Sequence, residues 1–532
     1  MTKNNKKEYK NFTDLSHDNI GNSYWMRGKV ETIKQTSGPT LMILNDGSAH
    51  FTFKAFVKPG VRAYPEIEVG DSVEAWGQIN LRNGGIEAEV SEMNKLSQEE
   101  TEEFQKEITQ KNKQRYPPKR EDFSIESPAY EAMKKDFIDV ATTIRKAVIE
   151  QRPIILRHDS DCDGYSSAIC LERAIIALMD ETSGDPSIKY QNYKRSPSKA
   201  PFYEYEDALK DISYWLRDKV KNGAKEPLII ITDNGSTEED ILGYKLVKLY
   251  NSEIVVIDHH YPGEKDEKGN VAVDYHIDGH VNPYLRGYDS NICSGMLGFE
   301  MAKFIYEKDL NNYMIPAMSA LLDHVEGPEK QKYIEKAKEE GYSVEYMEQL
   351  GEVMYLQSHY LRFSEAREFV DDLFGATPGI QEEVVKILYP EVKKLYEKVK
   401  KIGKAYSTVE DYNTCYIVHF DGEKGTSRGQ FPAVGKATNQ IHKMFEEELD
   451  KPIITMTSGS TFLTIRVSDE IKGFSVPEFC SQWIDVKIPE TGAEGGGHEH
   501  AGSIKFVEYA RDDVIELFRQ YLKYIAEKQN LN

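Results

Sequence analysis

Three short apolar runs, each ending in acidic residues, constrain the fold of this chain more than any other feature. They lie in the segments IILRHDSDCDG, PLIIITDNGS and EIVVIDHHYP. Continuous apolar runs of this length are typical of strands buried on both faces of a parallel sheet. The carboxyl ends of such strands meet at one edge of the sheet, where these folds place their sites. The pattern therefore predicts an α/β domain whose acids converge at one edge.

The first run carries the densest group of acids. Asp159, Asp161 and Asp163 follow the strand, and alternation along an extended segment sends Asp161 and Asp163 to the same side. Gly164 is predicted to allow a sharp turn into a helix. Because packed carboxylates repel one another, a divalent cation with oxygen ligands would neutralise them. A solvated acidic loop and a calcium loop are the alternatives for this stretch taken alone.

The later acids extend this interpretation. The candidates are Asp233 after the second run, Asp258, His259 and His260 after the third, and Asp323 in MIPAMSALLDHVEG. Oxygen and imidazole donors together suit Mn²⁺, or Mg²⁺ with some imidazole, rather than structural zinc. Two cations would need a shared carboxylate, and Asp233 on the middle strand is the predicted bridge. Asp258 is predicted to fix a histidine tautomer, and His260 to contact a phosphate oxygen.

The chain is long enough for two to four domains. We predict a flexible tail (1–22), a small β-barrel (23–98), a helical linker (99–150), a parallel-sheet α/β domain (151–330), connecting helices (331–405) and a smaller mixed α/β domain (406–532). In the barrel region, short alternating runs are separated by the hairpin signals Asn45-Asp46-Gly47 and Asn83-Gly84-Gly85. Their order resembles an OB-fold of the nucleic-acid-binding kind.

Four aromatic residues in the barrel region are candidates for stacking on bases. They are Trp25, Phe51, Phe53 and Phe56. Packing in the barrel core is an equally good interpretation for each of them.

Composition excludes several classes of protein. No apolar run reaches the roughly 18 residues that span a bilayer. The polar N-terminus lacks the apolar core of a signal peptide. The five cysteines are scattered and show no CxxC spacing, which favours a reducing cytoplasm. The formal net charge of −22 argues against broad neutralisation of duplex phosphates, although local contacts to a few phosphates remain compatible with it.

The C-terminal region offers candidates for holding an anion. Gly495, Gly496 and Gly497 would let the backbone approach phosphate closely, and His498 follows them. Arg428 and Arg466 are candidate phosphate ligands, with a surface ion pair as the alternative for each.

These motifs together resemble a known family. RHDSDCDG, ITDNGS, VIDHH and ALLDHVEG, in that order, look like the motifs of the DHH phosphoesterase superfamily. GGGHEHAGS resembles the glycine-histidine motif of the DHH-associated C-terminal domain. Within the superfamily the chain is similar to RecJ-like single-strand exonucleases, and the OB-like segment suggests an archaeal-type arrangement.

The resemblance implies a two-lobed hydrolase that depends on two Mn²⁺ or Mg²⁺ ions and releases mononucleotides from an end of single-stranded DNA or RNA. It implies roles in DNA repair or replication. It assigns the metal ligands to Asp161, Asp163, Asp233, His259 and Asp323, with Asp159, Asp258 and His260 as further catalytic residues. Substrate binding falls on the glycine motif, Gly495 to His498.

One position departs from the family pattern. Many members have a histidine where this chain has Arg157, and His158 is the next residue. The departure leaves open whether His158 replaces the usual ligand or whether Arg157 contacts phosphate instead.

Two other functions compete with the exonuclease. A phosphodiesterase for short oligonucleotides or cyclic dinucleotides would need the core alone. A replisome scaffold binding replication-helicase-associated proteins would not need the ligand set, which is intact here.

Overall fold

The computed structural model describes residues 7–82, 85–183, 187–222, 225–361, 367–412, 414–425, 429–498 and 500–529. The chain forms two compact units, Met1–Gly351 and Glu352–Asn532. The first unit contains the barrel and the parallel sheet. The second contains a separate mixed sheet. The domain boundaries drawn from the sequence are finer than this division and remain predictions.

A closed five-stranded barrel begins the first unit, in the order β1-β2-β3-β5-β4. Its strands are β1 (Ser23–Gln35), β2 (Thr40–Asn45), β3 (His50–Ala55), β4 (Ser72–Arg82) and β5 (Gly85–Lys95). β3 and β5 pair in parallel and close the barrel. The predicted small barrel is confirmed. Asn83 and Gly84 of its second predicted turn lie outside the described residues.

The barrel core decides between the two interpretations of its aromatic residues. Phe51 and Phe53 point inward and are buried, together with Phe12 from the segment before β1. Trp25 is half-buried on the outer face, 5.6 Å from Trp76 between ring centroids. Phe56, directly after β3, remains 52% exposed. Of the four candidates, it leaves most of its ring open to a base.

The barrel contacts the α/β domain that follows it. The His50 ring donates from Nδ1 to the carbonyl oxygen of Thr182 at 3.3 Å, and Lys225 pairs with Glu31 at 3.2 Å. Arg115, at the end of the linker helix, donates to the Gly47 carbonyl at 3.0 Å. The outer surface of β3 is therefore covered at His50.

The α/β domain is built around a five-stranded parallel sheet in the order β10-β9-β8-β6-β7. Its strands are β6 (Ile154–His158), β7 (Tyr193–Pro197), β8 (Leu228–Thr232), β9 (Glu253–Ile257) and β10 (Gly279–Val281). The helices of the unit are α1 (Gln98–Arg115), α2 (Pro128–Ile149), α3 (Cys162–Thr182), α4 (Ile188–Asn192), α5 (Tyr205–Asn222), α6 (Ile241–Lys248), α7 (Ser294–Ile305), α8 (Met314–Leu322) and α9 (Pro328–Glu339). The predicted parallel sheet is confirmed.

Three strands of this sheet are the predicted apolar runs, and every residue of β6 and β8 is buried. Strands with apolar side chains on both faces are stable where helices cover both faces of the sheet.

The second unit holds a six-stranded sheet in the order β11-β12-β13-β14-β16-β15. Its strands are β11 (Ser407–Asp411), β12 (Tyr416–Asp421), β13 (Ile453–Ser458), β14 (Phe462–Val467), β15 (Glu494–His498) and β16 (Ala501–Lys505). β12 and β13 pair in parallel and the other pairs are antiparallel, which confirms the predicted mixed α/β domain.

The remaining helices are α10 (Val344–Leu361), which crosses the division between the units, α11 (Arg367–Leu373), α12 (Ile380–Tyr406), α13 (Gly422–Gly425), α14 (Val434–Glu448), α15 (Val476–Glu478), α16 (Asp485–Lys487) and α17 (Arg511–Gln529). A π-helix spans Phe479–Ile484. Short 3₁₀ helices span Phe12–Asp14, His17–Asn19, Glu238–Asp240, Ala272–Tyr275, Pro283–Arg286, Pro489–Thr491 and Glu508–Ala510.

Among the described helices, none combines the length and the apolar character that a membrane span requires.

Candidate metal centre

The acids meet because three strand ends are in register. His158 of β6 pairs with Thr232 of β8, and Thr232 pairs with Ile257 of β9. Asp159, Asp233 and Asp258 are the next residues of the three segments. In a parallel sheet, residues that follow paired strand ends lie at the same edge. The structure therefore brings the acids of the three motifs together.

The first motif adopts a different local structure from the predicted one. Helix α3 begins at Cys162, so Asp163 lies in its first turn and Asp161 is its N-cap, accepting from the Gly164 amide at 3.0 Å. The predicted extended alternation through Asp163 is therefore wrong. A Cβ at position 164 would collide with the Asp159 carbonyl, so glycine is needed for this close approach rather than for a turn after the acids.

The Asp163 carboxylate is held by residues of α7 and α8 that were not predicted from the sequence. Its carboxylate accepts from the amides of Ser294 and Gly295 at the start of α7, both at 2.8 Å, and from the Ser319 hydroxyl. Amides at a helix N-terminus carry partial positive charge and stabilise a carboxylate. The only sequence signal was the pair of small residues that opens the apolar helix SGMLGFEMA.

His259 lies among three carboxylates. Its Nε2 is 3.5 Å from Asp233, 3.7 Å from Asp163 and 3.8 Å from Asp323. Its Nδ1–H donates to the Ser290 carbonyl at 2.9 Å. A carbonyl oxygen only accepts, so the proton of the neutral ring is on Nδ1 and the lone pair of Nε2 faces the acids.

Asp258 is buried beneath the histidines and organises them. One carboxylate oxygen accepts from the His259 amide and from Nδ1 of His260, both at 2.8 Å, and the other accepts from the Ser236 amide at 3.1 Å. Burial acts to raise the pKa of Asp258, but His260 outweighs it and the pKa falls. Burial acts to lower the pKa of His260, and Asp258 outweighs it, raising the pKa to about 10.

The other carboxylates repel one another. Burial, together with the charge of Asp163, raises the pKa of Asp161, Asp233 and Asp323. Burial lowers the pKa of His259. A group of buried acids with raised pKa values is stabilised in its ionised form when a cation binds among them.

Three sets of side chains could hold a cation. The donor atoms within each set lie within 4.8 Å of one another. The sets are Asp159, Asp161 and Asp233; Asp163, His259 and Asp323; and Asp233, His259 and His260. The donors fit Mn²⁺ or Mg²⁺, because carboxylate oxygens predominate. Asp233 and His259 each belong to two of the sets, so the sets are contiguous.

A left-handed backbone is found at one of these residues and directly after another. Asp233 has φ +58°, and His324, directly after Asp323, has φ +56°. Non-glycine residues rarely adopt this left-handed conformation, and such strain concentrates at functional sites.

Arg157 and His158 do not take part in the three donor sets. Arg157 is buried against Asp211, at 2.6 and 3.0 Å, and against Asp207 at 3.3 Å, so its guanidinium pairs with carboxylates rather than with a phosphate. The His158 ring donates from Nδ1 to the Asp159 carbonyl at 2.6 Å and belongs to none of the three sets. Burial, together with the charge of Arg195, lowers the pKa of His158 to about 3.

The second unit holds a partly buried arginine. Arg466 of β14 donates to the Asn439 side chain and, at 2.7 Å, to the Ile465 carbonyl. Among the described residues, no carboxylate forms an ion pair with it, and burial lowers its pKa to about 10. A partly buried guanidinium that no described carboxylate pairs with suits an anionic ligand.

The three glycines of β15 have different environments. A Cβ at Gly495 or Gly497 would collide with β16, so these two permit close strand packing. A Cβ at Gly496 would meet no atom within 4 Å. Gly496 pairs with Ser503, and Ser503 with Thr464, which lies two residues before Arg466 on the same face of the sheet. One face therefore carries both the open glycine and the arginine.

The structure does not describe the side chains of two predicted phosphate-binding residues. Arg428 lies outside the described residues, and His498 ends β15 with its side chain outside what the structure describes.

Comparison with known protein families finds two matches in the chain. The DHH family, N-terminal domain, matches residues 153–325, and an OB-fold nucleic acid binding domain matches residues 24–96. These two segments contain the parallel sheet with its acids and the barrel.

The proteins that are similar to the chain include the following three. The uncharacterized protein MJ1198 of Methanocaldococcus jannaschii is 38% identical over 529 residues, covering 95% of this chain and 69% of that protein. The structure of the PF0399 DHH domain, described as a member of a family of ribosomal proteins, is 36% identical with a TM-score of 0.76, over 80% of this chain and 99% of that one. RecJ of Thermus thermophilus in complex with Mn²⁺ shares the fold at 15% identity and a TM-score of 0.50, over 77% of this chain and 57% of that one.

Proposed function

Because the chain belongs to the DHH family and carries an OB-fold domain, we propose that it is a metal-dependent phosphodiesterase that releases mononucleotides from an end of single-stranded DNA or RNA. The observation that carries the proposal is the contiguous group of carboxylates and imidazoles joined by Asp233 and His259. The RecJ structure with Mn²⁺ supports the choice of cation.

Two cations fit the donor sets. Asp159, Asp161 and Asp233 would hold one, and Asp163, His259 and Asp323 the other, with Asp233 shared between them. Cations bound there would supply an activated water and stabilise charge on phosphate oxygens.

The surrounding residues keep the ligands in place. Ser290 holds the proton of His259 on Nδ1 and leaves Nε2 for a cation. Asp258 orients His260 through Nδ1, so that the other ring nitrogen can donate to a phosphate oxygen. The start of α7 and Ser319 fix both oxygens of Asp163.

Substrate binding away from the cations rests on the second unit and the barrel. Arg466 and Gly496 share an open face that suits a phosphate of the strand. In the barrel, Phe56 is half-exposed beyond the covered part of β3, and OB-folds bind oligonucleotides through the β2–β3 face and adjacent loops. Binding to replication-helicase proteins stays a prediction of the family resemblance alone.

The test is digestion of single-stranded DNA and RNA of several lengths, labelled at either end, with Mn²⁺ present. We expect mononucleotides from long strands and none without a divalent cation. Purified Asp233→Asn protein is the control for contaminating nucleases. Cleavage restricted to substrates of two to five nucleotides would favour the short-oligonucleotide phosphodiesterase instead.

The role of the barrel can be tested separately. Phe56→Ala is expected to weaken binding of long strands by about 5- to 100-fold through lost stacking, and to leave cleavage of dinucleotides unchanged. Equal effects on long and short substrates would mean that Phe56 does not hold the strand.

A further inference from the structure

Two tyrosines lie beside the metal centre without belonging to it. Tyr261 directly follows His260, and its ring packs edge-to-face on Tyr284, with the centroids 5.3 Å apart and the planes at 75°. Tyr261 is 52% exposed. In an edge-to-face pair the edge of one ring covers at most one face of the other, so the exposed side of Tyr261 can still take a flat ligand.

This tyrosine pair, Tyr261 and Tyr284, is fixed to the centre by a buried asparagine. The Asn282 side chain donates to the His260 carbonyl at 2.9 Å and accepts from the Tyr284 amide at 3.0 Å. It also donates to the Ser236 hydroxyl at 3.0 Å, next to the amide that binds Asp258. Asn282 therefore links the backbone of the histidine motif to the backbone that carries Tyr284.

The Tyr261 ring is also oriented from its outer end. Its hydroxyl donates to the Glu264 carboxylate at 2.5 Å, which limits rotation of an otherwise exposed side chain. An exposed ring held at both ends loses little further freedom when a ligand stacks on it.

The chemistry of this surface favours an uncharged aromatic ligand. The Glu264 carboxylate at the hydroxyl disfavours a phosphate at that end of the Tyr261 ring, and the Lys265 ammonium nearby already donates to the Leu285 carbonyl at 2.9 Å. Every nucleobase has a π-face and can stack on tyrosine whatever the sequence. A nucleotide whose phosphate is at the cations would bring its base to the neighbouring surface.

We propose that Tyr261 and Tyr284 form a stacking subsite for the nucleobase next to the scissile phosphate, a proposal that rests on the proposed phosphodiesterase function. The subsite restricts the enzyme to nucleic-acid strands with unpaired bases and disfavours phosphate chains that carry no base. Binding at this subsite does not depend on which base is present, because stacking does not involve the hydrogen-bonding groups of the base.

The experiment compares five-nucleotide DNA substrates in which each position in turn is abasic, using Mn²⁺ and the full-length protein. The variants are Tyr261→Leu, which removes the ring, and Tyr261→Phe, which keeps it. Tyr190→Leu is the matched control. It is exposed in the same unit, but it lies before β7 and so at the opposite edge of the sheet from the acids.

We expect one abasic position to raise the KM of the unmodified protein by about 5- to 100-fold. Tyr261→Leu should raise the KM of the intact substrate by a similar factor and have no effect on that abasic substrate. Tyr190→Leu should keep the unmodified KM. Tyr261→Phe keeps the ring but loses the hydrogen bond to Glu264, so it should raise the KM far less than Tyr261→Leu does.

Two results would overturn the subsite alone: no abasic position changes the KM, or Tyr261→Leu reduces cleavage of intact and abasic substrates equally. In both cases the unmodified protein is still active, so the phosphodiesterase function stands. An unmodified protein that cleaves no substrate with Mn²⁺ would instead overturn the proposed function and the subsite with it.

Discussion

Two neighbouring regions at the carboxyl edge of the parallel sheet bury charge in opposite ways. Arg157, at the end of β6, is enclosed by Asp207 and Asp211 of α5. The group of acids around Asp233 begins two residues further along the chain, at Asp159. The imidazole among these acids, His259, has a lowered pKa. In the first region, carboxylates of the protein balance the charge of Arg157. In the second region, negative charge is in excess, and a ligand must balance it.

Arg466 in the second unit resembles the group of acids in lacking a partner of opposite charge, but its own charge is positive. Like Arg157 it is an arginine on a strand, but no ion pair joins it to a described carboxylate. The two arginines differ in their surroundings: Arg157 is buried and pairs with two carboxylates, whereas Arg466 is partly buried and pairs with no described carboxylate.

The largest expected effect is that of Asp233→Asn. Loss of the shared carboxylate should reduce kcat by about 10²- to 10³-fold or more. The thermal midpoint without metal should rise, because a repelled charge is removed and asparagine tolerates the left-handed backbone. Steady-state kinetics with Mn²⁺ and thermal unfolding measure both, with the exposed-site change Glu267→Gln as control. Near-normal activity would refute the shared-ligand arrangement.

Arg157→Met should have the opposite effect on stability. It leaves Asp207 and Asp211 buried without their cation, and the free energy of unfolding should fall by about 3–5 kcal/mol. Urea denaturation measures the change. The control is Arg286→Met, which breaks an ion pair with Asp136 at the surface and should change stability by about 1 kcal/mol or less. A similarly small change for Arg157→Met would mean that its pairing is not structural.

Arg466→Met should affect substrate binding and leave stability intact. Loss of a charged hydrogen bond to phosphate should raise KM by about 10- to 150-fold, while the free energy of unfolding stays the same or rises. Lys472→Met, on the surface of the same unit, is the control. Unchanged KM on every oligonucleotide would remove Arg466 from the substrate site.

The smallest effect is expected for Ser319→Ala. Asp163 loses one of its three donors, so the Mn²⁺ concentration for half-maximal activity should rise by about 10- to 100-fold. Activity at saturating Mn²⁺ should recover. Cys293→Ser, which keeps a polar contact to Ser319, is the control. Failure to recover would show that Ser319 acts on more than metal binding.

Much of the fold followed from local patterns. Apolar runs ending in acids predicted the parallel sheet, and alternating runs with turn signals predicted the barrel; both are confirmed. The start of α3 did not follow, because the N-cap at Asp161 and the contact of Gly164 with Asp159 compete with extended alternation. The direction of Phe51 and Phe53 also depended on barrel closure, which periodicity leaves open.

The sequence by itself determined which acids follow the buried strands and, through strand register, that they would share one edge. Only the tertiary structure decided what each charge contacts. Ser319 lies 156 residues from Asp163, and Asp211 lies 54 residues from Arg157. Such contacts depend on how helices pack across the sheet, and no local spacing records them. The same physical reason explains why the tyrosine pair, joined to the histidines through Asn282, emerged only from the folded chain.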